Sequence, residues 1–327
     1  MIKTITSPVK IGKLELKNRV IMAPMQTNKG TIESFANDYH IKHYADRAEG
    51  ISMMIIESTA VSPDGRLFPD DIGIFRDEHI EPLKQIVDAV HAKETKIFVQ
   101  LSHGGRKSWP EVTDRLIGPS CIAYDEHYGE PNEMTDEDIT QVIEDFRLAS
   151  RRSLQAGFDG IELHAAHGFL LHEFLSPLSN RRTDKYGGSI ENRVRLVREV
   201  LDAIRLEVGK DYPVIIRVSA SEFDPEGLTP ADIGNAMTYL ESSLDAVHVS
   251  SGGLLPTTPL TTHEGYQVPY AAVIKQYVKL PIIAVGKIYT PDLANAILAD
   301  QLADIIAIGR PLLEEPLFVK KMIAFRS

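Results

Sequence analysis

Two histidines, His164 and His167, closely follow an apolar run over residues 158–163. A nearly continuous apolar run is typical of a parallel strand that is covered on both faces. The imidazoles would therefore lie at the carboxyl end of a strand, where parallel α/β folds bind their ligands. Such a pair could hold a polar substrate, ligate a metal or transfer a proton. The alternative is that one histidine packs in the core and the other lies in a loop.

A glycine followed by a cation ends two apolar runs near the end of the chain. The sequence IIAVGKI contains Gly286 and Lys287, and IIAIGRP contains Gly309 and Arg310. Glycine allows the backbone to approach a ligand closely, and a lysine or arginine can neutralise a phosphate. A helix that begins at Pro311 would add partial positive charge. These steps predict a phosphate site, whereas the alternative is that both glycines only turn the chain.

Other predicted strands also end in residues that suit a ligand site. Arg217 lies inside an apolar strand, where a buried guanidinium needs an anionic or hydrogen-bonding partner. Gln100 ends another strand with a polar side chain. Small or unbranched residues at two further strand ends, Pro24, Met25, Gln26 and Ala60, leave room for a flat ring system. The residues therefore predict a phosphate at one side, a planar group over the centre and two histidines above it.

Short β-branched runs alternate with longer amphipathic runs, and the alternation occurs eight times. This pattern predicts an α/β protein with a (β/α)8 TIM barrel. A hairpin over Val9–Ile11 and Glu15–Leu16, with a turn at Gly12 and Lys13, would cap the amino-terminal end of the barrel. The predicted barrel strands are Arg19–Ala23, Met53–Ser58, Lys96–Leu101, Gly160–His164, Val214–Val218, Ala246–Ser250, Ile282–Val285 and Ile305–Ile308.

Threonines mark the starts of several predicted helices. Thr229 and Thr290 each precede a proline and an acidic first turn, and Thr135 with Asp138 resembles a capping box. The connection over residues 102–133, which contains the only tryptophan, is too long for a plain barrel link. We expect it to form a lid or an entrance wall over the site.

Composition limits the kind of protein. The 327 residues carry a net charge of −11, which argues against nucleic-acid binding, and they form one predicted domain over 1–327. The single cysteine, Cys121, excludes an intramolecular disulfide and an iron–sulfur cluster held by four cysteines of this chain. No signal peptide and no apolar run of membrane-spanning length is evident, so a cytoplasmic protein without membrane contact is expected.

Several motifs together resemble one enzyme family. These are KNRVIMAPM at 17–25, QLSHGGRK at 100–107, ELHAAHGFLLHEFLSPLSNRRTDKYGG at 162–188, GYQ at 265–267 and IGRPLL at 308–313. They resemble the Old Yellow Enzyme family of FMN-dependent NAD(P)H oxidoreductases, and most closely its thermophilic-like bacterial branch. The resemblance covers nearly the whole chain, and the segment after the fourth barrel strand is its most specific part.

The resemblance implies that FMN lies on the carboxyl face of the barrel and that NADH or NADPH is a transient donor. A small electron acceptor, which would be an activated alkene, a quinone or a nitro compound, would then bind in the same pocket. His164 and His167 would hydrogen-bond its oxygen and polarise it. The implied cofactor-binding residues are Ala23, Pro24, Met25, Gln26, Ala60, Gln100, His164, Arg217, Gly286, Lys287, Gly309 and Arg310.

Three residues on the implied substrate side depart from the family pattern. Gln26 stands where relatives use Cys or Thr to tune the flavin, and Asn28 stands where the branch has a substrate-touching tyrosine. Phe169 replaces the tyrosine that protonates the α-carbon of an alkene. Lys107 at the entrance and Tyr266 complete the expected substrate-binding set, and Tyr266 or Tyr289 could substitute as the proton donor.

The replacement by Phe169 suggests an acceptor preference. Protonation of carbon is slow and gains from a positioned acid, whereas water can protonate the oxygen of a quinone or nitro group. We therefore expect quinone or nitro reduction to exceed simple enone reduction. The alternative is that Phe169 only packs and that solvent protonates enones adequately.

The sequence leaves the assembly and two other function classes open. A homo-oligomer, either a dimer or a tetramer, is expected, but the ending at 325–327 lacks the family's Arg-Gly-Trp element that reaches a neighbouring active site. A metal-dependent barrel hydrolase could use His164 and His167 with Glu162 or His172 as ligands. A flavin-binding protein without catalytic activity is the other alternative.

Overall fold

The computed structural model describes residues 3–257 and 262–324. The strands in these ranges are β1 (Val9–Ile11), β2 (Leu14–Leu16), β3 (Val20–Met22), β4 (Met53–Ala60), β5 (Lys96–Ser102), β6 (Ile117–Gly118), β7 (Asn132–Glu133), β8 (Gly160–Ala165), β9 (Val214–Ser219), β10 (Ala246–Ser250), β11 (Ile282–Ala284) and β12 (Ile305–Ile308). The helices are α1 (Asp38–Arg47), α2 (Ile80–His91), α3 (Asp136–Ala156), α4 (Leu170–Leu175), α5 (Ile190–Arg193), α6 (Arg195–Val208), α7 (Pro230–Thr238), α8 (Val268–Ile274), α9 (Pro291–Ala299), α10 (Arg310–Glu314) and α11 (Phe318–Ala324). The chain ending at 325–327 lies outside the described residues.

The predicted (β/α)8 barrel is confirmed. Parallel pairing runs through β3, β4, β5, β8, β9, β10, β11 and β12 and closes between β12 and β3. The first barrel strand is shorter than predicted, since it covers only Val20–Met22. The second extends through Ala60, across a register shift between Ile55 and Ser58.

Alternate residues of each barrel strand point into the barrel. At the amino-terminal end these positions carry a closed apolar cluster that includes Ile21, Phe98 and Ile215. Strands β1 and β2 pair as an antiparallel hairpin, and its Ile11 and Leu16 join the same cluster. Apolar packing thus fills the amino-terminal end and leaves the carboxyl end of the barrel for other chemistry.

The inward positions become polar two residues further along the same strands. On β5 the inward position after Phe98 is Gln100, and on β9 the inward position after Ile215 is Arg217. Register places Arg217 between His164 of β8 and His248 of β10. All of these polar side chains are buried, so each needs a partner from the protein or from a ligand.

The predicted helix starts are confirmed. The hydroxyl groups of Thr135 and Thr229 accept from the backbone N–H groups of Asp138 and Asp232, and both form complete capping boxes. Thr290 accepts from a backbone N–H in the first turn of α9, which also has proline in that turn. Each cap satisfies N–H groups that the helix itself leaves unpaired.

The long connection after β5 is an irregular segment with little regular structure. Its short strands β6 and β7 pair with each other, and Trp109 packs edge-on against His127 at a ring-centroid distance of 5.2 Å. That this segment acts as a lid stays a prediction. Among the described residues, no helix combines the length and apolar character needed to cross a membrane.

Candidate functional site

A cavity opens at the carboxyl ends of β10, β11 and β12. It brings together eight of the residues singled out from the sequence. These are Ala23, Met25, Arg217, Tyr266, Gly286, Lys287, Gly309 and Arg310. Ser250 and Gln267 are polar lining residues that were not among the predicted site residues.

The two glycine–cation steps form one wall of this cavity. Gly286 has φ +127°, which L-residues rarely adopt, and a β-carbon there would lie 2.9 Å from Gln267 Nε2. A β-carbon on Gly309 would lie 2.9 Å from Met25 Sδ. Both glycines therefore keep the backbone close to the cavity, as a ligand cradle requires.

The cations of this wall differ in what they contact. Lys287 Nζ donates to the carbonyl oxygen of Thr262 at 2.6 Å. Arg310 is exposed and begins α10, which is only five residues long. The contribution expected from a helix start is therefore limited to one short turn, so the arginine side chain is the main positive group here.

Arg217 is the clearest sign that the site binds a ligand. Its guanidinium is buried and lines the cavity, and its Nε has no hydrogen-bond partner among the described residues. Burial lowers the pKa of Arg217, while the carboxylate of Glu162 favours the charged form. A buried cation without a hydrogen-bonding partner is costly, and an anionic or carbonyl-bearing ligand would remove that cost.

Gln100 does not line this cavity and belongs to a buried row of hydrogen-bonded side chains. Its Nε2 donates to Glu162 Oε1 at 2.8 Å, and Glu162 Oε2 lies 2.7 Å from His248 Nδ1. The amide nitrogen of Gln100 is therefore used inside the protein, which leaves its carbonyl oxygen for a ligand. Glu162, which the metal-hydrolase alternative treated as a ligand, is instead bonded on both oxygens.

His164 and His167 are brought together as the sequence predicts. Their rings are nearly perpendicular at a centroid distance of 5.2 Å, and His167 Nδ1 lies 3.4 Å from His164 Nε2. Burial, reinforced by the charge of Arg217, lowers the pKa of both histidines well below its usual range. Both rings are therefore neutral at pH 7, and each offers one donor and one acceptor.

The backbone around His167 is held in an unusual conformation. His167 has φ +59°, its N–H donates to Ser219 Oγ at 2.9 Å, and Lys107 Nζ donates to its carbonyl oxygen at 2.8 Å. The same ammonium reaches the carbonyl oxygen of Gly253 at 3.0 Å. Burial lowers the pKa of Lys107 to about 8. Lys107 thus holds the histidine turn against the loop after β10.

Phe169 lies beside the histidines. Its ring is perpendicular to that of His164 at a centroid distance of 4.9 Å. Lys107 Nζ lies 4.8 Å from the centroid of the Phe169 ring and 4.4 Å from that of Tyr124. Tyr124, which the sequence reasoning missed, comes from the irregular segment after β5.

Gln26 and Asn28 have neighbours that the sequence did not suggest. Gln26 Nε2 donates to the carboxyl group of Asp71, which also accepts from the N–H groups of Leu67 and Phe68. Burial raises the pKa of Asp71 to about 8. Asn28, which lies with Gln26 in the loop after β3, has φ +52°. The structure therefore ties Gln26 to the loop after β4 and does not place it on the wall of the cavity described above.

The remaining candidates are buried residues and the histidine that the metal-hydrolase alternative proposed as a ligand. Pro24 and Ala60 are buried at the ends of their strands. His172 Nε2 lies 3.0 Å from a carboxylate oxygen of Glu222. Within residues 3–257 and 262–324, no three His, Cys, Asp or Glu side chains gather in an arrangement that could hold a metal ion.

Comparison with known proteins decides the family. The sequence profile of the NADH:flavin oxidoreductase / NADH oxidase family matches residues 4–326. The chain belongs to this family. The resemblance to the Old Yellow Enzyme family is thereby confirmed, and the protein is an FMN-dependent oxidoreductase that takes electrons from a nicotinamide donor.

Individual relatives agree with this assignment. An NADPH dehydrogenase of Clostridium acetobutylicum is 41% identical over 94% of this chain and 91% of its own length. The structure of an Old Yellow Enzyme homologue from Zymomonas mobilis has a TM-score of 0.86 at 27% identity and covers 99% of this chain and 93% of that chain. Morphinone reductase in complex with tetrahydroNAD has a TM-score of 0.84 at 32% identity, with 99% of this chain and 91% of that chain covered.

Proposed function

We propose that the cavity at β10–β12 holds FMN with its phosphate at the glycine–cation wall. The close backbone at Gly286 and Gly309 leaves room for it, and Lys287 and Arg310 would neutralise its charge. Arg217 would bind the ribityl chain or the polar edge of the ring. Its unpaired Nε is the single observation that carries this assignment.

The remaining candidates surround the proposed ring position. Ala23, Pro24, Met25 and Ala60 would line the ring, and the free carbonyl oxygen of Gln100 would accept from its edge. Gln26 would act on the flavin only through the loop that Asp71 anchors. Tyr266 and Asn28 would lie toward the substrate.

FMN, when bound, supplies the hydride transfer between the nicotinamide and the acceptor. The chain's own contribution is to hold the acceptor oxygen at His164 and His167. Because both rings are neutral, they can donate hydrogen bonds without an ion pair to break, and these bonds strengthen as negative charge develops on the oxygen. Lys107 supports this geometry from the backbone side of His167.

We propose NADPH as the donor, by analogy with the relative named NADPH dehydrogenase. Quinones and nitro compounds are the proposed preferred acceptors. Phe169 packs against His164, and its hydrocarbon side chain has no acidic proton to give to carbon. Oxygen of a quinone or nitro group can instead be protonated by water.

The test is an anaerobic stopped-flow comparison. The enzyme is reduced with NADPH, and reoxidation of the flavin is followed with a quinone and with cyclohexenone. We expect the quinone to react at least about tenfold faster. Phe169→Tyr should raise the enone rate and leave the quinone rate nearly unchanged, while Phe169→Leu serves as the apolar control. Equal rates for the two acceptors in the unaltered enzyme would contradict the preference, and a purified protein without flavin would contradict the cofactor site.

The homo-oligomer and the cytoplasmic location stay predictions. Light scattering on the purified protein would distinguish a monomer from a dimer or tetramer.

A further inference from the structure

The donors and acceptors around His164 can be assigned one by one. The N–H of Ala166 lies 3.3 Å from His164 Nδ1, so this nitrogen must accept. Because His164 is neutral, its proton is then on Nε2. That N–H faces His167 Nδ1 at 3.4 Å, and His167 Nδ1 is therefore also an acceptor. The proton of neutral His167 is on Nε2.

The hydrogen bonds continue from His167 into the cavity wall. His167 Nε2 lies 2.8 Å from Ser250 Oγ, so it donates to this hydroxyl group. Ser250 in turn donates to Gln267 Oε1 at 3.3 Å. The amide of Gln267 has a fixed orientation, because its Nε2 donates to the carbonyl oxygen of Val285 at 2.9 Å. One directed chain of hydrogen bonds therefore connects the two histidines with Ser250 and Gln267.

This direction conflicts with a role in which both histidines donate to one acceptor oxygen. In the present arrangement His167 presents only an acceptor nitrogen toward His164, and the N–H of His164 is spent on it. A second donor appears only if His167 moves its proton from Nε2 to Nδ1. In that form Nε2 becomes an acceptor and needs a donor of its own.

Ser250 is able to provide that donor. A hydroxyl group can rotate and either accept or donate. Its present acceptor, Gln267 Oε1, also receives a hydrogen bond from Ser251 at 2.6 Å, which is shorter than the bond from Ser250. Gln267 therefore stays satisfied if the hydroxyl of Ser250 turns toward His167. The serine is only 4% exposed on the cavity wall, and its hydroxyl group is held 2.8 Å from His167 Nε2.

We propose that Ser250 is a positioning residue that allows His167 to exchange its tautomer when an electron acceptor binds. This inference rests on the proposed function, in which His164 and His167 hold the acceptor oxygen. In the bound state His164 Nε2–H and His167 Nδ1–H both donate to that oxygen, and the Ser250 hydroxyl donates to His167 Nε2. One proton leaves Nε2 and one reaches Nδ1, with water in the open site as the carrier, so the ring stays neutral.

Nitrogen-15 NMR of histidine-labelled protein tests the exchange directly, since long-range proton–nitrogen correlations show which ring nitrogen is protonated. For His167 we expect Nε2–H in the resting protein. After addition of 4-cyanophenol at a pH where it is ionised, so that its oxygen only accepts hydrogen bonds as the oxygen of an electron acceptor does, we expect Nδ1–H. The same tautomer with and without the phenol would overturn the proposal, as would Nδ1–H in the resting protein.

Ligand binding to the Ser250→Ala variant gives an independent readout. Loss of the donor to Nε2 should raise the dissociation constant of 4-cyanophenol, followed by flavin absorbance, about tenfold. It should also reduce the Nδ1–H population in the bound state, and Ser250→Thr, which keeps the hydroxyl, should restore part of both. Unchanged affinity and tautomer in Ser250→Ala would overturn the proposal.

Ser221→Ala removes a hydroxyl that accepts from the N–H of Phe223, and it should change neither the His167 tautomer nor phenol affinity. If the purified protein contains flavin that NADPH does not reduce, the proposed function fails. If NADPH reduces the flavin but the tautomer is insensitive to Ser250, only the present inference fails.

Discussion

The two ends of the barrel interior are built from the same strands, but their residues have opposite polarity. Phe98 and Ile215 lie in the apolar cluster that the hairpin closes, whereas Gln100 and Arg217 lie two residues further along. The apolar end is complete without a ligand. The polar end leaves Arg217 Nε without a hydrogen-bond partner among the described residues. This contrast indicates that one end supplies stability and the other end sacrifices stability for binding.

The largest effect is expected at the apolar end. Phe98→Ala removes a fully buried ring and should lower the free energy of unfolding by about 3–5 kcal/mol. Urea denaturation measures this change. Leu206→Ala, at a side chain that is 84% exposed, should change it by less than about 0.5 kcal/mol. A small loss in Phe98→Ala would contradict the division between the two ends.

Arg217→Met tests the polar end. The affinity for FMN, measured by fluorescence titration of the flavin-free protein, should fall about a hundredfold because a charged hydrogen-bond donor is lost. The flavin-free protein should be at least as stable as the unaltered one, because a buried cation without a hydrogen-bond partner disappears. A variant that is much less stable and still binds FMN tightly would reverse the assignment.

Asp71→Asn tests, through the pH dependence of the free energy of unfolding, what a buried polar group costs this protein. Burial raises the pKa of Asp71 from 3.8 to about 8, so between pH 4 and 8 the folded protein holds a proton that the unfolded chain has released. The stability contributed by this proton is present below about pH 4 and is lost as pH rises toward 8. Asp71→Asn should therefore remove about 3–4 kcal/mol of the stability difference between pH 5 and pH 8. Urea unfolding at the two pH values checks this.

The control for that experiment is Glu78→Gln, which changes an exposed carboxyl group seven residues after Asp71. This variant should leave the stability difference between pH 5 and pH 8 intact. An identical pH dependence in Asp71→Asn and the unaltered protein would contradict the role given to Asp71.

The smallest effect is expected at Gly286. A β-carbon there meets Gln267 Nε2 at 2.9 Å, so Gly286→Ala should weaken FMN binding about tenfold by shifting the cavity wall. Gly129→Ala is a matched control, because Gly129 also has a positive φ of +79° but has nothing within 4 Å of an added β-carbon. Equal FMN affinity in both variants would show that backbone strain alone, and not the cradle, matters at Gly286.

Local patterns made much of the fold predictable. The apolar runs gave eight strands with errors of at most two residues at their ends, because strand ends depend on neighbouring strands as well as on the run itself. The threonine caps were predictable, since a cap and the N–H group it satisfies lie within three residues of each other. The placement of His164, Arg217 and the glycine–cation steps followed from the shared direction of parallel strands.

Contacts between distant segments were not predictable in this way. Gln26 meets Asp71, Lys107 meets Gly253, and His167 meets Ser250, each across dozens of residues. Ser250 had one signal in the sequence, because it ends the predicted strand Ala246–Ser250 with the same parity as His248. The link from parity to a hydrogen bond required the closed barrel.

The sequence by itself determined which residues stand at the carboxyl ends of the strands, because strand period and chain direction are local properties. The tertiary structure alone decided which of those residues are hydrogen-bonded to each other and which are left for a ligand. A hydrogen bond needs a donor–acceptor distance of about 3 Å, held to within a few tenths of an ångström, between segments that can be far apart in the chain. Those distances are set by the packing of the whole barrel.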